Sequence, residues 1–149
     1  MNNGDKYMDD FKLLLCDIQG RLFENSTEFA SESFIKSFMN SEVALHLDSK
    51  YNKLQWMGEE YLLEELTDEV EISRDGERFD KEVLYWTGYI YRYWACLYEE
   101  KSKKIYRYAP AKTMKRNYMV FHTMDPRLAI EDLLEIYSQK HAKKGRAGE

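Results

Sequence analysis

The chain has 149 residues and a net charge of −5, and 44% of its residues are hydrophobic while 33% are charged. This length and composition predict one soluble globular domain, and two prolines with seven glycines are few for a sheet protein. No apolar stretch is long enough to cross a bilayer, and the acidic opening MNNGDKYMDD argues against a secretory signal. We therefore expect a cytoplasmic protein that makes no membrane contact.

Charge differs in sign between the two halves of the chain. Residues 1–80 contain 8 lysine and arginine residues against 19 aspartate and glutamate residues, a net charge of −11. Residues 81–149 contain 14 against 8, a net charge of +6. Two interpretations stay open: the halves attract each other within the fold, or the second half offers a basic face to an acidic partner or a phosphate backbone.

Apolar residues at helical spacing predict helices in the first 50 residues. The first helix spans about residues 7–23, and a shorter one presents an apolar face around Phe34 and Phe38. Ser41 followed by Glu42 restarts a helical turn, so this region is either one bent helix or two. The apolar stripe of the first helix consists of Met8, Phe11, Leu15, Ile18 and Leu22.

A longer amphipathic helix is predicted from about Lys53 to Leu66, because its apolar residues recur three and four positions apart. Its opposite face is acidic, which keeps the helix solvated. The segment VEISRDGERFD then breaks the helical period and is predicted to be a loop. This loop leads to Asp80, which we expect to be the N-cap of the next helix.

The central element of the predicted fold is residues 82–98, EVLYWTGYIYRYWACLY. Between positions 83 and 97, only Thr87, Gly88 and Arg92 are neither apolar nor aromatic. A helix here is apolar on nearly every side, which is typical of a core helix. Gly88 indicates a place where another backbone comes close. The whole pattern predicts an all-α, single-domain bundle of five to seven helices around this aromatic-rich helix.

Arg92 is the charged residue of this core helix. A buried guanidinium keeps its charge, so a carboxylate, backbone carbonyls or water must reach it. We predict a structural buried ion pair that joins the central helix to the last helix. The alternative is an anion-binding or partner-binding site ringed by tyrosines. The candidate carboxylates are Asp125, Glu131 and Asp132.

Three further helices are predicted after the central one. Ser102 is a candidate cap for a short helix that stops before a proline, and the next helix covers about residues 111–121. Asp125 followed by Pro126 is a strong start signal for the last helix, because aspartate caps and proline fits the first helical position.

The chain shows no internal repeat and no linker that would divide it. Its last ten residues, KHAKKGRAGE, contain no apolar side chain larger than alanine. We therefore predict one helical domain over residues 1–140 and a disordered tail over residues 141–149.

Strong catalytic and metal-binding signatures are absent from the sequence: it has no glycine-rich phosphate loop, no HExxH and no nucleophile elbow.

Cys16 and Cys96 lie among apolar residues and are predicted to be buried small side chains rather than a disulfide or a metal pair. A di-iron bundle needs Glu-x-x-His twice, and the nearest match is Glu42 with His46, four residues apart and present once. We predict neither a cofactor nor a metal site.

A basic segment runs from Lys101 to Arg116, with seven basic residues and no acidic one. Tyrosines interleave with these cations, and cations with flat rings suit single-stranded nucleic acid or an acidic protein surface. A merely solvated basic face is the alternative. Tyrosine and arginine dominate interface energetics, so we chose the partner-binding candidates from this segment. They are Tyr106, Arg107, Tyr108, Lys112 and Arg116.

The stretch Arg116-Asn-Tyr-Met-Val-Phe-His122 is similar to the Arg-x(4–6)-His signature of HEPN domains, compact helical proteins many of which are RNases. The resemblance implies that His122 acts as acid and base at a 2′-hydroxyl. It also implies that Arg116 stabilises the phosphorane charge, usually across a homodimer.

Residues 85–94, YWTGYIYRYW, and 121–137, FHTMDPRLAIEDLLEIY, resemble an uncharacterised family of small bacterial proteins. That family is associated with toxin–antitoxin-like loci, near ADP-ribosyltransferase-type toxins, which implies a partner-binding protein.

The leading hypothesis is a non-enzymatic, antitoxin-like interaction module that binds a partner protein, with a toxin as one candidate, through a basic and aromatic surface. The alternatives are a metal-independent HEPN-like RNase and a nucleic-acid-binding protein without catalysis. Homo-oligomerisation through exposed tyrosines also stays open.

Overall fold

The structure is a computed structural model that describes residues 8–147, with side chains over residues 8–142. Within these residues it contains eight α-helices, one 3-10 helix and no β-strand. The prediction of an all-α fold is confirmed, whereas the predicted number of five to seven helices is too low. The helices are α1 Asp10–Glu24, α2 Ser31–Met39, α3 Glu42–Asp48, a 3-10 helix Lys53–Trp56, α4 Glu59–Glu69, α5 Lys81–Tyr98, α6 Ser102–Tyr108, α7 Ala111–Phe121 and α8 Pro126–Ala147.

Ser41 separates α2 from α3, so this region forms two helices rather than one bent helix. Its backbone is extended, with φ −86° and ψ 163°, and its hydroxyl oxygen accepts a hydrogen bond from the Ala44 N–H at 3.0 Å. This bond satisfies one of the free N–H groups at the start of α3. A new helix therefore begins after Ser41.

The predicted continuous helix from Lys53 to Leu66 is wrong, because the chain is extended at Met57 and Gly58. The 3-10 helix precedes this break, and the Asn52 side chain caps it by accepting a hydrogen bond from the Leu54 N–H at 2.9 Å. Gly58 is the N-cap of α4. Two N-caps six positions apart, Asn52 and Gly58, thus divide one apolar pattern into two helices.

Most predicted helix starts agree with the structure. Asp80 is the N-cap of α5, although its side chain makes no capping hydrogen bond. The Asp125 carboxylate accepts a hydrogen bond from the Arg127 N–H at 2.9 Å, and α8 begins at Pro126 as predicted. Ser102 was expected to cap α6 but is its first helical residue.

The last helix is longer than the sequence predicts. It continues to Ala147, so the backbone of residues 141–147 is helical where we expected a disordered tail. Alanine, lysine and arginine have high helix propensity, which allows a helix to extend past the apolar part of the sequence. Gly148 and Glu149, like residues 1–7, lie outside the described residues. None of the described helices combines the length and apolar composition needed to cross a membrane.

Helix α5 lies in the hydrophobic core, as the sequence predicts. Ten of its 18 residues are buried, so other helices cover most of its circumference. It contacts α1, α6, α7 and α8, and its contact with α1 is by far the most extensive. These two helices run antiparallel, because Cys16 lies beside Cys96 and Phe23 lies beside Gly88.

Gly88 allows α1 and α5 to approach closely. A Cβ atom at Gly88 would lie 2.5 Å from the backbone oxygen of Gln19 and 2.8 Å from the Phe23 ring. Gly20 on α1 has the same role, since a Cβ atom there would lie 2.7 Å from the Tyr85 ring. The predicted close approach of another backbone at Gly88 is therefore confirmed.

The segment between α4 and α5 is a loop, as predicted, and it is tied to the start of α2. The N–H groups of Ala30 and Ser31 donate hydrogen bonds to the carbonyl oxygens of Ser73 and Glu77, at 3.0 and 2.9 Å. The Phe79 N–H donates to the Ser31 hydroxyl oxygen at 2.8 Å. These three bonds fix the point at which the chain enters α5.

Candidate functional site

The basic segment lies on the surface, and all seven of its cations are exposed. Lys104 pairs with Glu100 at 3.7 Å, and Lys115 pairs with the carboxylate of Glu77. The remaining five cations make no ion pair within the described part of the chain, which leaves their charge available to a ligand. They are Lys101, Lys103, Arg107, Lys112 and Arg116.

One side of α7 faces solvent with both cations and apolar side chains. Met119 is 76% exposed and Val120 is 68% exposed, and they are neighbours on the side of the helix that carries the cations. These two residues were not among the predicted site residues, although each lies four positions after a cation and therefore shares its face. We define the α7 face as Lys112, Lys115, Arg116, Met119 and Val120.

The two tyrosines chosen as partner-binding residues pack within the chain. Tyr106 and Tyr108 are half-buried against the hydrophobic core, and burial raises the pKa of Tyr106. The Tyr108 ring stacks on Trp94 with centroids 6.0 Å apart and meets Tyr137 edge-on at 4.9 Å. The exposed members of the predicted set are therefore its three cations, Arg107, Lys112 and Arg116.

Arg116 lies within α7, and His122 is the C-cap residue that follows it. Six residues along an α-helix correspond to a rotation of about 240°, so the two side chains leave α7 in different directions. His122 stacks on Tyr118 with centroids 4.4 Å apart, and its Nδ1 atom lies 2.8 Å from the Tyr118 carbonyl oxygen. Arg116 is exposed on the α7 face.

Arg92 is the centre of a buried polar network. The residue is 1% exposed, and each of its three guanidinium nitrogens donates to a side-chain oxygen. Nη1 donates to Asp48 Oδ1 at 2.7 Å, Nε to Gln19 Oε1 at 2.8 Å, and Nη2 to Ser102 Oγ at 3.4 Å. The Gln19 side chain in turn donates to the Gly88 carbonyl oxygen at 2.9 Å. Arg92 is thus a structural buried residue, as predicted.

The predicted carboxylate partners of Arg92 are wrong, because its partner is Asp48 at the end of α3. The Asp48 carboxylate also accepts hydrogen bonds from the Ser102 N–H at 2.8 Å and the Ser102 hydroxyl at 2.7 Å. The carboxylate therefore places a negative charge at the start of α6, where the free backbone N–H groups of the helix stabilise negative charge. The network joins α5 to α1, α3 and α6 rather than to α8. The three residues predicted to be partners, Asp125, Glu131 and Asp132, are all exposed.

Cys16 and Cys96 lie side by side at the contact between α1 and α5, and both are free thiols. Cys16 is fully buried, as predicted, whereas Cys96 is only partly buried. Burial raises the pKa of the Cys16 thiol, while the hydrogen bond from Cys16 lowers the pKa of Cys96. No local pattern indicates that the two cysteines are neighbours, because 80 positions separate them in the chain.

Glu42 and His46, the nearest match to a di-iron motif, are exposed one turn apart on α3. The Glu69 carboxylate accepts hydrogen bonds from the N–H groups of Glu42 and Val43, at 2.8 and 3.3 Å, and so caps this helix from α4. Among the side chains that the structure describes, no group of three or more His, Cys, Asp or Glu residues is placed to hold a metal ion.

A cavity of about 450 Å³ lies between the end of α1, the first half of α5 and the junction of α7 with α8. We call it the aromatic cavity. Three separate segments form it, so no local sequence pattern could predict it. The residues most relevant to its chemistry are Glu24, Glu82, Tyr85, Trp86, Tyr89 and Tyr118.

Contacts within the chain hold the rings of this cavity. The Tyr85 hydroxyl donates to Asp17 Oδ1 at 2.5 Å, and the Tyr118 ring meets Trp86 edge-on with centroids 5.8 Å apart. Burial raises the pKa of Tyr85 above its ordinary value and that of Tyr89 to about 12. Both tyrosines are therefore neutral at physiological pH and contribute no negative charge.

No family model, no curated protein and no solved structure matches the chain.

Proposed function

We propose that the chain is a single-domain, cytoplasmic, antitoxin-like interaction module without catalytic activity. It binds an acidic surface of a partner protein, with a toxin as one candidate, through the α7 face. The observation that supports this most is the combination of unpaired Lys112 and Arg116 with exposed Met119 and Val120 on one side of one helix. Apolar residues at the centre of an interface bury surface, and surrounding cations select and orient an acidic partner.

The composition of the α7 face favours a protein partner over nucleic acid. Phosphate contacts use cations, and single-stranded bases stack on exposed aromatic rings. On this surface the exposed large apolar residues are Met119 and Val120, whereas Tyr106 and Tyr108 pack inward. Methionine and valine add little to phosphate binding but contribute to a protein interface.

The test is charge reversal on the α7 face. A partner is first captured from the native cell, identified and purified, and its dissociation constant is then measured against each variant. We expect Lys112→Glu/Arg116→Glu to weaken binding at least about tenfold, because two attractive contacts become repulsive. The matched control is Lys36→Glu/Lys81→Glu, which makes the same change in net charge at exposed residues on α2 and at the start of α5. The control should bind like the wild type.

Equal affinity of the two double variants would contradict the proposal. Binding of single-stranded RNA that weakens steeply with salt, and that Lys112→Glu/Arg116→Glu abolishes, would replace it with nucleic-acid binding. Cleavage of RNA by the wild type but not by His122→Ala would replace it with the HEPN-like RNase alternative. Sedimentation of the purified chain would show whether the partner is a second copy.

A further inference from the structure

We propose that the aromatic cavity binds a methylated ammonium cation. The cavity combines four aromatic side chains with two carboxylates, Glu24 and Glu82, and neither lysine nor arginine lines it within the described residues. This site goes beyond the proposed function, since the α7 face and the cavity use different residues of α7.

The lining residues favour a positive charge. Glu24 and Glu82 make no ion pair within the part of the chain that the structure describes, so their charges are not neutralised by the fold. Aromatic rings attract cations through the negative potential of their faces, and cages of such rings bind quaternary ammonium groups. The nearby cation Arg21 already pairs with Asp17 at 3.2 Å. An anion in this cavity would meet two unpaired carboxylates.

The aromatic and apolar side chains that form much of the cavity wall favour a methylated cation over a primary ammonium. A primary ammonium carries three donors, and each must be satisfied when the group leaves water. Glu24 and Glu82 supply negative charge, but Trp86, Ile90 and Met124 on the rest of the wall offer no strong acceptor to an N–H donor. A methylated ammonium has few or no donors, so it loses less on entering such a cavity.

The size and rigidity of the cavity suit a compact group. Its volume of about 450 Å³ lies towards the small end of ligand sites in proteins. The Tyr85 hydrogen bond and the contacts of Tyr118 with Trp86 and His122 fix ring positions before a ligand arrives. Rings that are already ordered lose little conformational entropy on binding.

The first test compares choline with 3,3-dimethyl-1-butanol, which has the same shape but carries carbon in place of the charged nitrogen. In calorimetric titrations of the full chain, we expect choline to bind at least about tenfold more tightly than this neutral analogue. A short peptide with trimethyllysine, measured beside its unmethylated form, shows whether the cation comes from a free small molecule or from a protein side chain. Binding of either methylated probe supports the proposal.

The second test assigns binding to the cavity. Glu24→Gln/Glu82→Gln should weaken choline binding about tenfold, whereas Glu60→Gln/Glu64→Gln, an equal charge change on exposed residues of α4, should not. Tyr118→Leu should abolish binding, and Tyr118→Phe should retain it, because only the former loses the ring. Circular dichroism confirms that each variant is folded.

Three results would overturn the proposal. They are binding of the neutral analogue as tight as that of choline, equal affinity of the two double glutamate variants, and no detectable binding of either methylated probe at millimolar concentration. Lys112→Glu/Arg116→Glu should leave choline binding unchanged, so failure at the cavity and failure at the α7 face are distinguishable.

Discussion

Replacing Gly88 by alanine is expected to destabilise the protein by about 3 kcal/mol. The added Cβ atom would lie 2.5 Å from the backbone oxygen of Gln19, and a backbone atom cannot rotate away as a side chain can. The helices α1 and α5 would have to separate, which loosens the most extensive helix contact in the structure. Alanine favours a helix over glycine by about 1 kcal/mol, and this gain only partly offsets the clash. Urea denaturation followed by circular dichroism measures the change in the free energy of unfolding.

The control for this variant is Gly58→Ala. No atom lies within 4 Å of the position that a Cβ atom would take at Gly58, so the only cost is a poorer N-cap for α4. We expect a loss below about 1 kcal/mol. If Gly88→Ala proves as stable as Gly58→Ala, the close contact between α1 and α5 does not exist as described.

Replacing Asp48 by alanine is expected to cost about 3–5 kcal/mol of unfolding free energy. The change removes the carboxylate that pairs with Arg92 at 2.7 Å, and the side chains of both partners are 2% exposed. Arg92 then remains charged in the core without a counter-ion, because a guanidinium does not give up its proton. The N–H and hydroxyl groups of Ser102 lose their acceptor as well. Chemical denaturation of the purified variant and of the wild type measures this loss of unfolding free energy.

Glu28→Ala provides the matched control, since Glu28 pairs with Arg74 at 3.4 Å on the surface. Their side chains are 52% and 70% exposed, and a pair so open to water contributes less than about 1 kcal/mol. An Asp48→Ala variant that loses no more stability than Glu28→Ala would show that water reaches Arg92. A double variant, Asp48→Leu/Arg92→Met, should recover much of the loss, because it leaves no unpaired charge.

Local sequence signals predicted the features that depend on neighbouring residues in the chain. The apolar pattern around residue 90 identified α5, and Asp125 with Pro126 marked the start of α8. Gly88 indicated a close backbone contact because glycine is otherwise unfavourable inside a helix. These signals are local, so they do not depend on knowing which helices pack together.

The particular residues that meet in the folded chain were not predicted. Asp48 reaches Arg92 only because α3 and α6 meet beside α5, and nothing in the chain near either residue specifies that meeting. Tyr106 and Tyr108 belong to a basic segment, yet they pack inward because α6 lies against the core. The aromatic cavity is formed by three segments that are distant in the sequence, and the sequence of no single segment indicates that a cavity exists. In each case, the burial and the hydrogen-bond partners of a residue depend on residues that are distant in the sequence.

The central position of α5 is tested most directly by hydrogen–deuterium exchange of the free chain. Amides buried in the core exchange only when much of the protein unfolds, whereas amides of exposed loops exchange by small local openings. We predict that residues 87–95 in α5 exchange most slowly, near the rate set by global unfolding, and that the loop over residues 70–79 exchanges much faster. Exchange of residues 87–95 at the rate of that loop would show that α5 is not enclosed by the rest of the chain.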